Sequence, residues 1–132
     1  MLRYMVDTNT CIYVMRRTSQ ALMETFDQAL GSLCISSVTY GELWFGAAKS
    51  DRKDKNLASL SVFAAQVEVL SFDRKAAEHF GEIRAQLERD GTPCGPYDMQ
   101  IGAHARSLDL TVVTNNRREF DRMPGLRVEN WV

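Results

Sequence analysis

The sequence contains no apolar run approaching the roughly 20 residues that a bilayer-spanning helix requires, so no transmembrane helix is expected. Its opening residues, MLRYMVDTNT, lack a basic stretch followed by an apolar one. A secretory signal is therefore not expected, and the cytoplasm is the expected compartment. Cysteine is scarce and odd in number. Cys11, Cys34 and Cys94 form no C-x-x-C pair and no zinc pattern with His79 and His104, so reduced, mostly buried thiols are expected. A strong charge of either sign is also missing: the formal net charge is -1. That balance is unlike the uniformly basic surface of a generic nucleic-acid binder. Internal repeats, low-complexity tracts and linker-like segments are absent, which predicts a single domain over residues 1–132.

What is present is the composition of an ordinary folded protein, 45% hydrophobic and 25% charged. The 16 basic residues are clustered at Arg16-Arg17, at Arg52-Lys53-Lys55, and at Arg117-Arg118 with Arg122. A near-neutral total is thus compatible with RNA binding if acids collect in one pocket and bases form its rim.

The order of elements is informative. Leu2–Val6 reads as a short buried strand closed by Asp7-Thr8-Asn9, a turn or helix cap, with a helix through Ile12–Arg16 after it. Leu22, Phe26 and Leu30 lie on one face of a second helix that ends at Gly31. Leu33–Ile35 is the next strand, and Ser36-Ser37 caps a helix containing Glu42, Leu43 and Phe45, expected to be largely buried. Leu57, Leu60 and Ala64 predict a further helix, Val67–Leu70 a third strand, and Asp73 the cap of a helix bearing Ala76, Phe80, Ile83 and Leu87. The loop 90–96 breaks the chain before a helix over 97–108, with Ile101, Ala105 and Leu108 inward. Thr111–Thr114 is the fourth strand. Strands alternating with helices predict an α/β fold whose parallel sheet is covered on both faces. Ligands of such sheets sit beyond the carboxyl ends of the strands, where Asp7 and the run Thr114-Asn115-Asn116 both fall.

Three acids stand out, each with an ordinary structural alternative. Asp7 can simply cap the helix after it. Glu42 can be a solvated helix residue, although Leu43, Trp44 and Phe45 beside it predict burial, which a Glu tolerates only when paired or bound to a cation. Asp98, just after Pro96, can serve only the helix dipole. Gathered together, such acids repel unless protons or a divalent cation offset their charge, and hard oxygen donors favour Mg²⁺ or Mn²⁺. Both histidines lie within helical segments, which favours metal-assisted hydrolysis over histidine-dependent cleavage.

At these residues the chain resembles the PIN-domain ribonucleases, and among them the VapC toxins of bacterial type II toxin–antitoxin systems, closest to the enteric branch. The matching pieces are Met5-Val6-Asp7-Thr8-Asn9, Ile35-Ser36-Ser37-Val38-Thr39 followed by Gly41-Glu42-Leu43, Gly95-Pro96-Tyr97-Asp98 with Ile101 and Ala103-His104-Ala105, and Val112-Val113-Thr114-Asn115-Asn116 with Glu119-Phe120. The resemblance implies a three-layer α/β/α PIN-like domain with a central parallel sheet of four to five strands. It implies an endoribonuclease dependent on Mg²⁺ or Mn²⁺, with Asp7, Glu42 and Asp98 as metal-holding catalytic acids. Many relatives carry an Asp where this chain has Asn116, and Glu119 is then the nearest acid to complete the pocket. Thr8, Asn9, Thr114 and Asn116 are the supporting polar residues. The resemblance further implies cleavage of tRNA, in the enteric branch the anticodon loop of the initiator, and inhibition of translation. Its implied partners are a second copy of the chain and a cognate antitoxin, through which alone operator DNA is met, with no membrane partner. Trp44, Phe45 and Phe63 are interface candidates, with core packing as the alternative. Two other classes stand beside this one. An Asp-dependent phosphotransfer domain would want a second acid at Asn9 or a Lys near Thr114, and a non-catalytic RNA-binding module would need none of the acids.

Overall fold

Alternate residues of a β-strand face opposite sides of a sheet, and here both sides are apolar. In the computed structural model, which describes residues 1–132, the first strand β1 (Tyr4–Val6) directs Met5 into one buried cluster and Val6 into another. Cys34 and Ile35 divide in the same way in β2 (Leu33–Ser36), as do Val112 and Val113 in β4 (Thr111–Val113). With β3 (Glu68–Leu70) and β5 (Arg127–Glu129) these strands form one sheet in the order β3-β2-β1-β4-β5, every neighbouring pair parallel.

Parallel pairing requires crossovers, and helices supply them. α1 (Thr8–Arg16), α2 (Gln20–Gln28), α3 (Ser37–Ala48) and α4 (Lys53–Ala64) contribute Cys11, Val14, Leu22, Phe26, Leu43, Leu60 and Phe63 to one cluster. α5 (Arg74–Asp90), α6 (Pro96–Ser107) and the short α7 (Arg117–Phe120) contribute Ile83, Leu87, Met99, Ile101 and Phe120 to the other. The result is the three-layer α/β/α arrangement with five parallel strands. Helix starts follow from local chemistry: Asp7, Ser19, Ser36 and Asp73 each accept a backbone N–H from their own first turn. Gly91, at φ +70°, closes α5 in a left-handed conformation that glycine adopts without a Cβ penalty.

The chain runs outward from β1 through β2 to β3, then returns to place β4 on the other side of β1. The sheet therefore reverses direction between β1 and β4. A crevice opens at the carboxyl ends of strands at such a reversal, which is where Asp7 and Thr114 stand.

Several details differ from the sequence reading. α1 begins at Thr8 rather than Ile12, because the Asp7 cap starts it at once. Leu30 lies beyond the end of α2 and is exposed, and Leu108, expected inward, follows the end of α6 and is 46% exposed. Only Thr39, Leu43 and Ala47 of α3 are buried, a stripe at fourfold spacing, so Trp44 and Phe45 project outward. Phe63 is buried and stacked on Phe26 at 6.0 Å between ring centroids, which makes it a core residue and not an interface anchor. All three cysteines are free and buried, as expected.

These differences are measurable. Phe26→Ala empties a site that is 1% exposed and should lower unfolding free energy by about 3–5 kcal/mol. Leu108→Ala should stay within about 0.5 kcal/mol of wild type. Urea denaturation followed by circular dichroism separates the two, and equal losses would refute the burial pattern.

Candidate active site

Asp7 ends β1 and begins α1. Its backbone N–H donates to Val113 O at 3.0 Å, so the β1–β4 pairing itself carries the residue to the crevice. One carboxylate oxygen, Oδ1, accepts the Thr10 N–H at 2.9 Å, and the other, Oδ2, accepts the Thr114 hydroxyl at 2.5 Å. The structure thus shows Asp7 as the cap of α1, standing at the carboxyl end of β1 beside the switch point. Burial pushes its carboxyl pKa up, against the hydrogen bonds from Thr114 and Thr10, which favour the ionised form.

Thr114 continues the network. Its Oγ1 accepts the Asn116 N–H at 2.8 Å, folding the chain after β4 into a tight turn. The Asn116 side-chain amide then donates to Asp98 Oδ2 and to Glu119 Oε2, at 3.1 Å each. Asp98 sits in the first turn of α6, and Glu119 in α7 accepts the Gly95 N–H at the start of α6 at 3.4 Å. Burial first, and the neighbouring acids Glu119 and Asp7 next, push the Asp98 pKa up to about 7. Glu119 is held below its ordinary value, chiefly by its hydrogen bond with Asp98. Below about pH 7, then, the pair holds a proton that resides mainly on Asp98.

Glu42 approaches from the α3 side. Its Oε1 accepts the Thr8 hydroxyl at 2.6 Å, and the same hydroxyl lies 3.3 Å from Thr39 Oγ1. The residue is half-buried, not enclosed. The structure therefore brings Asp7, Asp98 and Glu119 into one electrostatically coupled group, with Glu42 fastened through Thr8 to the helix that Asp7 caps. Thr8, Thr114 and Asn116 have the supporting contacts expected of them. Asn9 is exposed and takes no part in the network. Thr10, Thr39 and the Gly95 N–H belong to it without having been singled out, because nothing in sequence distinguishes a threonine or glycine that meets a distant carboxylate.

The charge around these acids is unbalanced. All five ion pairs of the chain lie elsewhere, and none includes Asp7, Glu42, Asp98 or Glu119. Their hydrogen-bond partners are neutral hydroxyls and amides. The Thr10 hydroxyl, fully buried, has no hydrogen-bond partner of normal geometry, although it lies near enough to Asp7 to favour the charged carboxylate. Such a donor set suits a hard divalent cation. No three His, Cys, Asp or Glu side chains close a cage around one point.

The raised Asp98 pKa fixes the sign of a pH effect. An unfolded Asp titrates near about 4, so between there and about 7 the folded chain holds a proton that the unfolded chain has released. Metal-free stability should therefore fall as pH rises through that window and level off above it. His104, whose pKa burial lowers, acts in the opposite direction, so the contrast with Asp98→Asn is the decisive comparison. In EDTA, the melting temperature of wild type relative to Asp98→Asn should drop between about pH 5 and about pH 7.5, and Mg²⁺ should recover more of it at the higher pH. Parallel pH profiles for the two proteins would contradict this assignment.

Comparison with known proteins agrees with the geometry. The PIN domain family model matches residues 4–126. The chain is 50% identical over 131 residues to the tRNA(fMet)-specific endonuclease VapC of Salmonella typhimurium, and 48% identical to that of Shigella flexneri, covering 99% of both partners in each case. Among solved structures, the DNA-bound VapBC of Salmonella typhimurium superposes with a TM-score of 0.97 at 49% identity over all of both chains. VapBC2 of Rickettsia felis, bound to a promoter DNA fragment, gives 0.93 at 33% identity, over 99% of this chain and 100% of that one. The acids at the β1–β4 crevice are thus carried on a known scaffold, and the chain belongs to the PIN-domain family, within its VapC ribonucleases.

Proposed function

We propose that this chain is the toxin of a type II toxin–antitoxin pair, a divalent-cation-dependent endoribonuclease that cleaves tRNA and thereby stops translation. The observation that carries the reading is the coupled set Asp7, Asp98 and Glu119, with Glu42 tied in through Thr8 and none of the four in an ion pair, at the switch point of the sheet. The initiator tRNA is the proposed substrate, cut in its anticodon loop, because two relatives of nearly equal length are named as tRNA(fMet)-specific. That substrate places the activity in the cytoplasm. No helix is long and apolar enough to cross a membrane. The phosphotransfer reading loses its support, since Asn9 stands where a second acid is wanted and no Lys is paired with Asp7.

Asp7 and Asp98, with Glu42, would hold the cation, Mg²⁺ or Mn²⁺, which when bound supplies charge neutralisation and Lewis acidity at the phosphate. The remaining work falls to the chain's own side chains. Thr114 and Thr10 fix the Asp7 carboxylate, and Asn116 holds Asp98 and Glu119 side by side. Thr8 engages Glu42 Oε1 and leaves Oε2 free to orient the attacking water and take its proton. Water attack in line with the 3′-oxygen forms a new P–O bond as the P–O3′ bond breaks, leaving a 5′-phosphate and a 3′-hydroxyl. Arg16, Arg17 and Arg118 are exposed and available to backbone phosphates, whereas Arg117 is engaged with Asp121 at 3.3 Å. A cognate antitoxin is the proposed inhibitor, as in the VapBC complexes this chain resembles. The projecting Trp44 and Phe45, with Lys49 over the Phe45 ring, are suited to a contact with the antitoxin or a second copy.

Asp7→Asn and Asp98→Asn should each lower tRNA cleavage by roughly 100-fold or more while the circular dichroism spectrum is retained. EDTA should abolish cleavage by wild type, with Mg²⁺ or Mn²⁺ restoring it. End mapping should find 5′-phosphates; 2′,3′-cyclic phosphate ends, or cleavage unchanged by Asp7→Asn, would reject the mechanism.

A further inference from the structure

His104 lies on α6, two turns beyond Asp98, and is 2% exposed. Ser36 ends β2 and caps α3, two turns before Glu42, and is fully buried. The imidazole Nδ1 and the Ser36 Oγ are 2.8 Å apart, joining positions 68 residues apart in the chain. We propose that His104 is a positioning residue: its neutral imidazole accepts the Ser36 hydroxyl through Nδ1, fixes the start of α3 against α6, and so sets where α3 holds Glu42 against Thr8.

The direction of the bond follows from Ser36. Its Oγ already accepts the Val38 N–H at 3.1 Å, so the buried hydroxyl has one proton to place and Nδ1 is its only partner. In the proposed arrangement Nδ1 is therefore unprotonated and the ring hydrogen lies on Nε2. Surroundings support the neutral form. The Phe72 ring meets the imidazole edge-on at 5.6 Å, and the Phe72 N–H donates to Ser37 Oγ at 3.0 Å, holding that ring at the same helix start. Burial lowers the His104 pKa, and Asp73, the charged group facing it, opposes this without overcoming it.

From Ser36 the connection is short. Thr39 and Glu42, on the first turns of α3, both meet the Thr8 hydroxyl on α1. A small rotation of the α3 start would therefore shift Glu42 relative to Asp7 and Asp98 together. A buried neutral hydrogen bond adds little net stability over a well-packed apolar side chain, whereas misplacement of a catalytic group by an ångström can cost roughly 100-fold in rate. The bond matters here for geometry more than for stability.

This inference rests on the ribonuclease reading, and the experiment separates the two. Asparagine carries its Oδ1 the same number of bonds from Cα as Nδ1, glutamine carries its oxygen one bond further, and leucine fills space without an acceptor. His104→Asn should keep kcat for tRNA cleavage near wild type, even with a lower melting temperature from the smaller side chain. His104→Leu and His104→Gln should lose roughly 10- to 100-fold in kcat with KM little changed. The ¹⁵N spectrum of the wild-type imidazole should show protonation at Nε2 alone. Full activity in His104→Leu, equal loss in His104→Asn and His104→Leu, or a proton on Nδ1 would overturn the proposal. If wild type leaves tRNA intact in Mg²⁺, the ribonuclease reading itself falls and takes the positioning role with it.

Discussion

Negative charge brought together with no ion-paired counter-charge is the constraint on which the rest of the structure depends, Arg122 acting on Glu119 only through its more distant field. Asp7, Asp98 and Glu119 are close enough for one to hold another's proton, and no basic side chain is within ion-pair distance of any of them. Left to itself, such a cluster favours any motion that separates its members. The fold resists that motion by building each acid into backbone. Asp7 caps α1, Asp98 lies in the first turn of α6, and Glu119 accepts the backbone N–H that precedes that turn. Helix starts carry partial positive charge, so two of the acids sit where the backbone offsets part of their cost. The remainder is offset by a shared proton or by a cation, and that choice is what couples the site to pH and metal.

The sheet determines why these positions coincide. β1 and β4 are neighbours in space although more than a hundred residues separate them, and their pairing places Val6 beside Val113. The next residues, Asp7 and Thr114, therefore emerge together at the carboxyl edge and are joined by a hydrogen bond. α6, which brings Asp98, packs on one face of the sheet, while α3, which brings Glu42, contributes Leu43 to the cluster on the other face. The site thus straddles the layers of the molecule, and any change in how the helical layers seat on the sheet is felt in the spacing of the acids. The Ser36–His104 contact crosses between these layers, whereas Thr8–Glu42 and Asn116–Asp98 each tie together elements of one layer.

Much of this was legible in the sequence. Short, largely apolar runs ended by polar residues mark four of the five strands, and they mark the helix starts after β1 and β2 because there the cap and the end of the strand are adjacent or the same residue. β5 was not located, since Arg127-Val128-Glu129 has only one apolar residue and gains its place through pairing with β4. Leu30 and Leu108 continued a helical period that the backbone had already left, as apolar character alone does not show where a helix stops. α3 looked uniformly buried because Trp44 and Phe45 are apolar, and an exposed aromatic cannot be told from a buried one without the helix's neighbours. Asp7, Glu42, Asp98 and Glu119 came from the ordered resemblance. Periodicity gave only the edge of the sheet on which to look.

Asn116 shows how one atom type alters the balance of such a site. Many relatives of this pattern place an acid at that position, which would add another negative charge and acceptor oxygens beside Asp98. The amide here donates to Asp98 and Glu119, so it lessens repulsion where an acid would increase it. It also occupies one oxygen of each carboxylate, while the Gly95 N–H occupies the second oxygen of Glu119. Both oxygens of Asp7 and Oε1 of Glu42 likewise accept hydrogen bonds, so the carboxylate oxygens left without a donor are Asp98 Oδ1 and Glu42 Oε2. With both of its oxygens engaged, Glu119 acts here on the charge of Asp98, through the shared Asn116 amide and its own hydrogen bond with Asp98. Its spacing in the sequence alone does not reveal that position.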